Sequence, residues 1–206
     1  VPRTQLAAAA PLVDVSTVRL SIRRLGDGDL EELAEVFRDP EVWWFEYGRG
    51  LERAETVAFL DRQKQLWDDY GFGGCAVRDR REGALLGVVG LGARTFSDPL
   101  LPHVTVGWRF ASGAWGHGFA TEAAVALLRQ AFGPMRIPAV GCVTNRENSR
   151  SLAVARRLRM EVIGAHRVLR DDGLRSVVAL LLRVDHAQWA GHHAEPRRPT
   201  DERPDG

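Results

Sequence analysis

Val18, Leu20 and Ile22 alternate with Thr17, Arg19, Ser21 and Arg23, the period of a strand with one buried face. The period then changes. Leu30, Leu33, Ala34 and Phe37 recur on one helical face until Pro40 stops the element, and Asp29 with Glu32 has the spacing of a capping box. The aromatic, glycine-punctuated stretch EVWWFEYGRG reads as a loop. A second helix is predicted from Arg53 to Tyr70, with Phe59, Leu60, Leu66 and Trp67 on one side and Gly71 at its end. Strands follow at 72–78, 85–95 and 103–110, with the charged turn RDRREG between the first two. In the third, Val104, Val106, Trp108 and Phe110 face one way and Thr105, Gly107 and Arg109 the other.

The next stretch, WGHGFATEAAVALL, opens on two glycines and becomes a helix over 119–132, its apolar stripe formed by Ala120, Ala123, Ala124, Leu127, Leu128 and Ala131. IPAVGCVT predicts a strand, NSRSLAVARRL a short helix, and two final strands flank the turn RDDG at 170–173. No internal repeat is present. The order β α α β β β α β α β β is an α+β pattern with mixed pairing around a single sheet flanked by helices. Residues 1–16 are expected to be a mobile arm, 17–190 one domain, and the proline-rich, charged 191–206 a disordered tail.

Composition narrows the function classes. With 28 basic against 27 acidic residues the net charge is +1, so no global field recruits nucleic acid or an anionic membrane. No apolar run reaches the roughly 18 residues of a membrane span, and no charged-then-apolar leader is seen. Cys75 and Cys142 have no CxxC partner, which argues against a disulfide framework or a cysteine metal site. A reducing cytoplasm is the expected compartment. His192 and His193 fall in the expected tail, and no metal is predicted.

A glycine loop opening a helix leaves backbone N–H groups unpaired at the positive end of the helix dipole, where phosphate binds without basic side chains. The alternative is an ordinary strand-to-helix turn. A nucleotide-hydrolase loop needs GxxxxGK[ST], and Lys64, the only lysine, is far away. A dinucleotide site needs a third glycine and an acidic residue about 20 positions on; from Ala123 to Arg146 there is neither Asp nor Glu.

VGWRF at the end of a strand, AWGHGFATEA opening the main helix and NRENSRSLAVARRLRM downstream, in this order, resemble the GNAT N-acetyltransferase superfamily, in particular its ribosomal-protein alanine N-acetyltransferase branch. The likeness runs from Val18 to Asp185. It implies a sheet whose strands on either side of the main helix splay apart, with acetyl-CoA in the gap. Gly113, Trp115, Gly116, His117, Gly118, Phe119, Ala120 and Thr121 would then serve the diphosphate. Val106, Trp108 and Phe110 would serve pantetheine, and Asn148 and Ser151 the thioester end, Asn148 being equally well placed as a helix cap.

The sequence also departs from that family. Gly113 stands where many relatives carry Arg or Gln, and Thr105 where many carry a general-base glutamate. Neither of the two tyrosines, Tyr47 and Tyr70, lies in the cofactor segment. His103 is therefore the candidate base and Ser151 the candidate proton donor to the thiolate. Trp43, Trp44, Phe45 and Tyr47 could cage an amine, with Glu41 and Glu46 attracting it and Thr105 beside it. The expected activity is acetyl transfer from acetyl-CoA to a small-molecule amine or a protein N-terminus, by a monomer or homodimer. The alternative is a non-catalytic acyl-CoA-binding module on the same fold.

Overall fold

A computed structural model of the chain describes residues 10–94, 101–169 and 176–193. Its strands are β1 Val15–Ser16, β2 Leu20–Arg24, β3 Gly74–Asp79, β4 Leu85–Ala93, β5 Val104–Phe110, β6 Ala139–Thr144, β7 Glu161–Leu169 and β8 Ser176–Asp185. Its helices are α1 Leu30–Arg38, α2 Trp44–Tyr47, α3 Arg53–Tyr70, α4 Phe119–Phe132, α5 Ser149–Arg157 and α6 His186–His193. One mixed sheet of 8 strands runs in the order β1-β2-β3-β4-β5-β6-β8-β7. Among the described residues only the β5–β6 pairing is parallel.

Helices cover both faces. The stripe Ala123, Ala124, Leu127, Leu128 and Ala131 of α4 is wholly buried in a core with Leu20, Ile22, Val77, Val89 and Val106. Leu33 and Phe37 of α1 and Phe59 and Leu60 of α3 close a second core on Ala76, Leu85 and Val88. Adjacent strand residues such as Ala76 and Val77 enter different cores, as alternating side chains require.

The sheet opens at its centre. β5 and β6 pair only at Val104–Val140 and Thr105–Gly141. Further along, β5 pairs only with β4, up to Gly87–Phe110, and β6 only with β8, up to Thr144–Leu180. The splayed α+β sheet expected from the sequence is thus present.

Several boundaries differ from expectation. The stretch expected as an arm is attached at its C-terminal part: Leu12 is buried, and the Val13 amide and carbonyl both bond the Gln130 side chain at 2.8 Å. A partner 117 positions away leaves no local pattern to read. Residues 191–193 belong to α6, whose buried Trp189 packs on Phe132 with ring centroids 5.6 Å apart. Within the aromatic stretch read as a loop, α2 makes one helical turn. Val18 is exposed, and the strand starts at Leu20. Asp29 holds the N-cap position of α1 as expected but makes no side-chain bond to the helix; its carboxylate accepts from the Gly26 amide at 3.0 Å and from Arg23 and Arg78. Residues 1–9, the turn 170–173 and residues 194–206 lie outside the described residues.

Candidate active site

After β5 the chain makes a short 3-10 turn at Ser112–Ala114 and reaches Gly116 and Gly118, whose φ values are +80° and +79°. Side chains are strained in that left-handed region, so the two glycines set the loop's shape. Gly118 is the N-cap of α4 and offers no capping side chain. The first-turn N–H groups stay available at the positive end of the helix. The Thr121 hydroxyl, in the same turn, is buried without a hydrogen-bond partner.

The ladder fixes which backbone groups face the opening. Arg94 N donates to His103 O at 2.8 Å and Ala111 N to Leu86 O at 2.9 Å, so odd-numbered residues bond β4. The Val106 carbonyl and the backbone groups of Trp108 and Phe110, beyond the last bridge at Thr105–Gly141, therefore turn into the gap. The Phe110 carbonyl is taken by Trp115 Nε1 at 2.9 Å.

A cleft of about 1010 Å³ fills the gap. Of the residues expected to hold a cofactor, all but Gly113 line it, and so do Phe45, Tyr47 and Thr105 from the expected acceptor set. Asn148 has both of its readings: it lines the cleft while its Oδ1 accepts from Ser151 N at 3.0 Å as the cap of α5. Ser151 lies on the same wall. Arg150 of α5 reaches across to the glycine-loop side, its guanidinium 4.1 Å from the Trp115 ring centroid.

Four expected site residues fall elsewhere. Gly113 is exposed in the 3-10 turn. Trp43 is core, 1% exposed, edge-on to Phe37 at 5.0 Å and in ring contact with Tyr47 at 5.6 Å, so it backs the cleft-lining Tyr47 rather than lining the cleft itself. Trp44 is 60% exposed and is not on the cleft wall. His103 is half-buried before β5, with Nδ1 3.2 Å from the Arg94 carbonyl, and it is not on the wall either. Its expected place beside the amine is therefore corrected.

Arg109, whose orientation the sequence leaves open, lines the cleft and reaches the Val42 carbonyl at 2.9 Å and the Glu46 carboxylate. Glu122, in the first turn of α4, is pushed upward by burial, but hydrogen bonds from Thr17 and Arg19 outweigh this and lower its pKa. Burial raises both cysteine thiols to about 12, so neither is a ready thiolate. Sequence reasoning missed Arg19, Arg150 and the α3 wall with Arg62 and Asp69. Arg150 sits inside the NRENSRS motif, a signal within reach; Arg19 meets residues about 100 positions away and had none.

Comparison with known proteins agrees with this geometry. Residues 19–161 match the acetyltransferase (GNAT) domain family. The chain is 27% identical over 145 residues to the uncharacterized protein YkkB of Bacillus subtilis, covering 70% of this chain and 83% of that one. It superimposes on an acetyltransferase from Agrobacterium tumefaciens with a TM-score of 0.65 at 25% identity, over 85% of this chain and 95% of the other. The ribosomal-protein-S5-alanine acetyltransferase of Vibrio fischeri gives a TM-score of 0.66 at 15% identity, over 86% and 99%. With more than half of its length matched and its sheet opened where a cosubstrate would enter, the chain belongs to the GNAT acetyltransferase family, which uses acetyl-CoA.

Proposed function

We propose that this chain transfers an acetyl group from acetyl-CoA to the nitrogen of a primary amine, either a small molecule or a protein N-terminus. The observation that carries the reading is the parting of β5 from β6 after Thr105, which leaves the Val106 carbonyl and the Trp108 backbone turned into a roomy cleft. The residues fit the cosubstrate: helix-end amides and the orphaned Thr121 hydroxyl suit a diphosphate, and a strand edge suits the amides of pantetheine. Acetyl-CoA supplies the activated thioester. The glycine loop holds its anionic part, β5 aligns the arm, and Ser151 stands ready to protonate the departing thiolate. That last task is light, since a thiol pKa is about 8.5.

Deprotonating the acceptor is the harder step. Reaching the neutral form at pH 7 costs about 4.6 kcal/mol for a lysine-type amine and about 1.1 kcal/mol for an α-amine. Thr105 supplies no carboxylate and Glu46 is committed to Arg109, which leaves Glu41 and Asp69 as the other carboxylates on the wall. The missing carboxylate at Thr105, on β5 itself, favours an acceptor of low pKa. Release of free CoA thiol over a panel of amines and short peptides tests the reading. Turnover with at least one primary amine is expected; CoA binding without thiol release for any amine would make the chain a non-catalytic acyl-CoA binder.

A further inference from the structure

We infer that Arg19, at the entrance to β2, is the positioning residue of the diphosphate loop, working from behind it. Arg19 Nη1 donates to the carbonyl of His117 at 2.9 Å, and its Nε to Glu122 Oε2 at 2.7 Å. The guanidinium carbon lies 4.6 Å from the Phe119 ring centroid. Nη2 lies 3.7 Å from where a Cβ on Gly118 would sit. One side chain thus touches residues 117, 119 and 122 and flanks 118, yet it is not on the cleft wall.

The consequence follows from peptide geometry. The 117–118 peptide is trans, so its C=O and N–H point in opposite directions. Holding the His117 carbonyl on the outer side directs the Gly118 N–H into the cleft. Glycines at φ near +80° leave this peptide free to flip, and the guanidinium removes that freedom. Arg19 also covers the negative charge of Glu122, which Thr17 Oγ1 and the Arg19 amide fix in the first turn of α4, where it would repel a phosphate. Gly113 gives the loop no side chain of its own; the cation comes from Arg19, just before β2, and acts on the backbone.

The inference rests on the reading of the loop as a diphosphate site, and the experiment separates the two. Coenzyme A is titrated calorimetrically into the wild type, Arg19→Met and the double variant Arg19→Met/Glu122→Gln, with melting curves confirming the fold. Should Arg19→Met not fold, Arg19→Lys, which keeps the charge but loses the fork, replaces it throughout. Arg19→Met is expected to weaken binding by about tenfold or more, the scale of a lost charged hydrogen bond. The double variant regains part of this but stays at least about threefold weaker than wild type, because the Gly118 peptide is still unheld. No binding by the wild type would sink the site itself. Wild-type binding with an Arg19 variant within twofold of it, or a double variant equal to wild type, would overturn the positioning role alone.

Discussion

Arg109 lies over the face of Trp43, its guanidinium carbon 3.7 Å from the ring centroid. Its two Nη atoms meet the Glu46 carboxylate at 3.1 and 3.0 Å, and Nη1 also reaches the Val42 carbonyl at 2.9 Å. A residue of β5 therefore fastens α2, the turn that brings Phe45 and Tyr47 to the cleft. The Trp43 indole N–H is buried without a partner, so ring packing and the cation hold the side chain in place.

Arg109→Met should loosen this turn. Glu46 is 38% exposed, so the ion pair itself counts for little. The stacked ring and the carbonyl bond carry the effect, and the expected loss is about 1–2 kcal/mol in urea unfolding. An unchanged midpoint and slope would show that the turn stands on packing alone.

Gly118→Val tests the glycine loop. A Cβ at Gly118 meets nothing closer than Arg19 Nη2 at 3.7 Å, so the cost comes from its φ of +79° rather than from a clash. Left-handed backbone costs an L-residue about 1–2 kcal/mol, more when β-branched. The loop should relax to another conformation and lose CoA affinity by tenfold or more on the scale of about 1.4 kcal/mol per decade. Calorimetry showing wild-type affinity with the fold intact would refute the assignment.

How much of this was legible depended on whether the signal was local. The α4 stripe, the glycine pair and the Asn148–Ser151 spacing lie within single elements, and periodicity with turn chemistry placed them correctly. The WWFEY run was harder: Trp43 and Tyr47, four residues apart and in ring contact, still divide between core and cleft, and packing of Trp43 on the distant Phe37 and Phe59 decides which is which. His103 shares the strand parity of Thr105, which suggested a place on the wall, but it lies one residue before the strand, where its ring turns to the Arg94 carbonyl. Val13 and Arg19 act through partners on α4 and its loop, contacts that only the tertiary fold creates.

Asp29 ties stability to pH. Its carboxyl is wholly buried; that burial raises the pKa, but hydrogen bonds from Arg23, Arg78 and the Gly26 amide prevail and lower it. The contribution is therefore complete above the unfolded value of about 3.9 and is lost as pH falls through the lower folded value. Asp29→Asn should cost about 2 kcal/mol at pH 7. The gap between variant and wild type should narrow below about pH 4. A gap that is constant from pH 7 to pH 3 in denaturant melts would contradict the ionic account.

Arg159 follows α5 at φ +59°, and the Met160 N–H closes back on the Ala155 carbonyl at 3.0 Å. This is a helix stop that favours glycine. Arg159→Gly should raise stability by about 1 kcal/mol, as relief of left-handed strain exceeds the added chain entropy. A lower melting temperature would mean that the arginine side chain contributes more than its backbone costs.

The acceptor sets the final prediction. His103 is off the cleft wall, Thr105 carries no carboxylate, and Glu46 is held by Arg109. If the amine itself bears the rate-controlling ionisation, kcat/KM rises with pH and levels near the amine's own pKa, about 7.8 for an α-amine. His103→Ala should then leave the rate at pH 7 within about threefold of wild type, far from the hundredfold or more that loss of a general base brings. Two results would overturn this. A limb climbing unbroken through pH 9 with the best acceptor would mark a lysine-type amine. A hundredfold loss in His103→Ala that shrinks at high pH would mean that the imidazole swings onto the wall when substrate is bound.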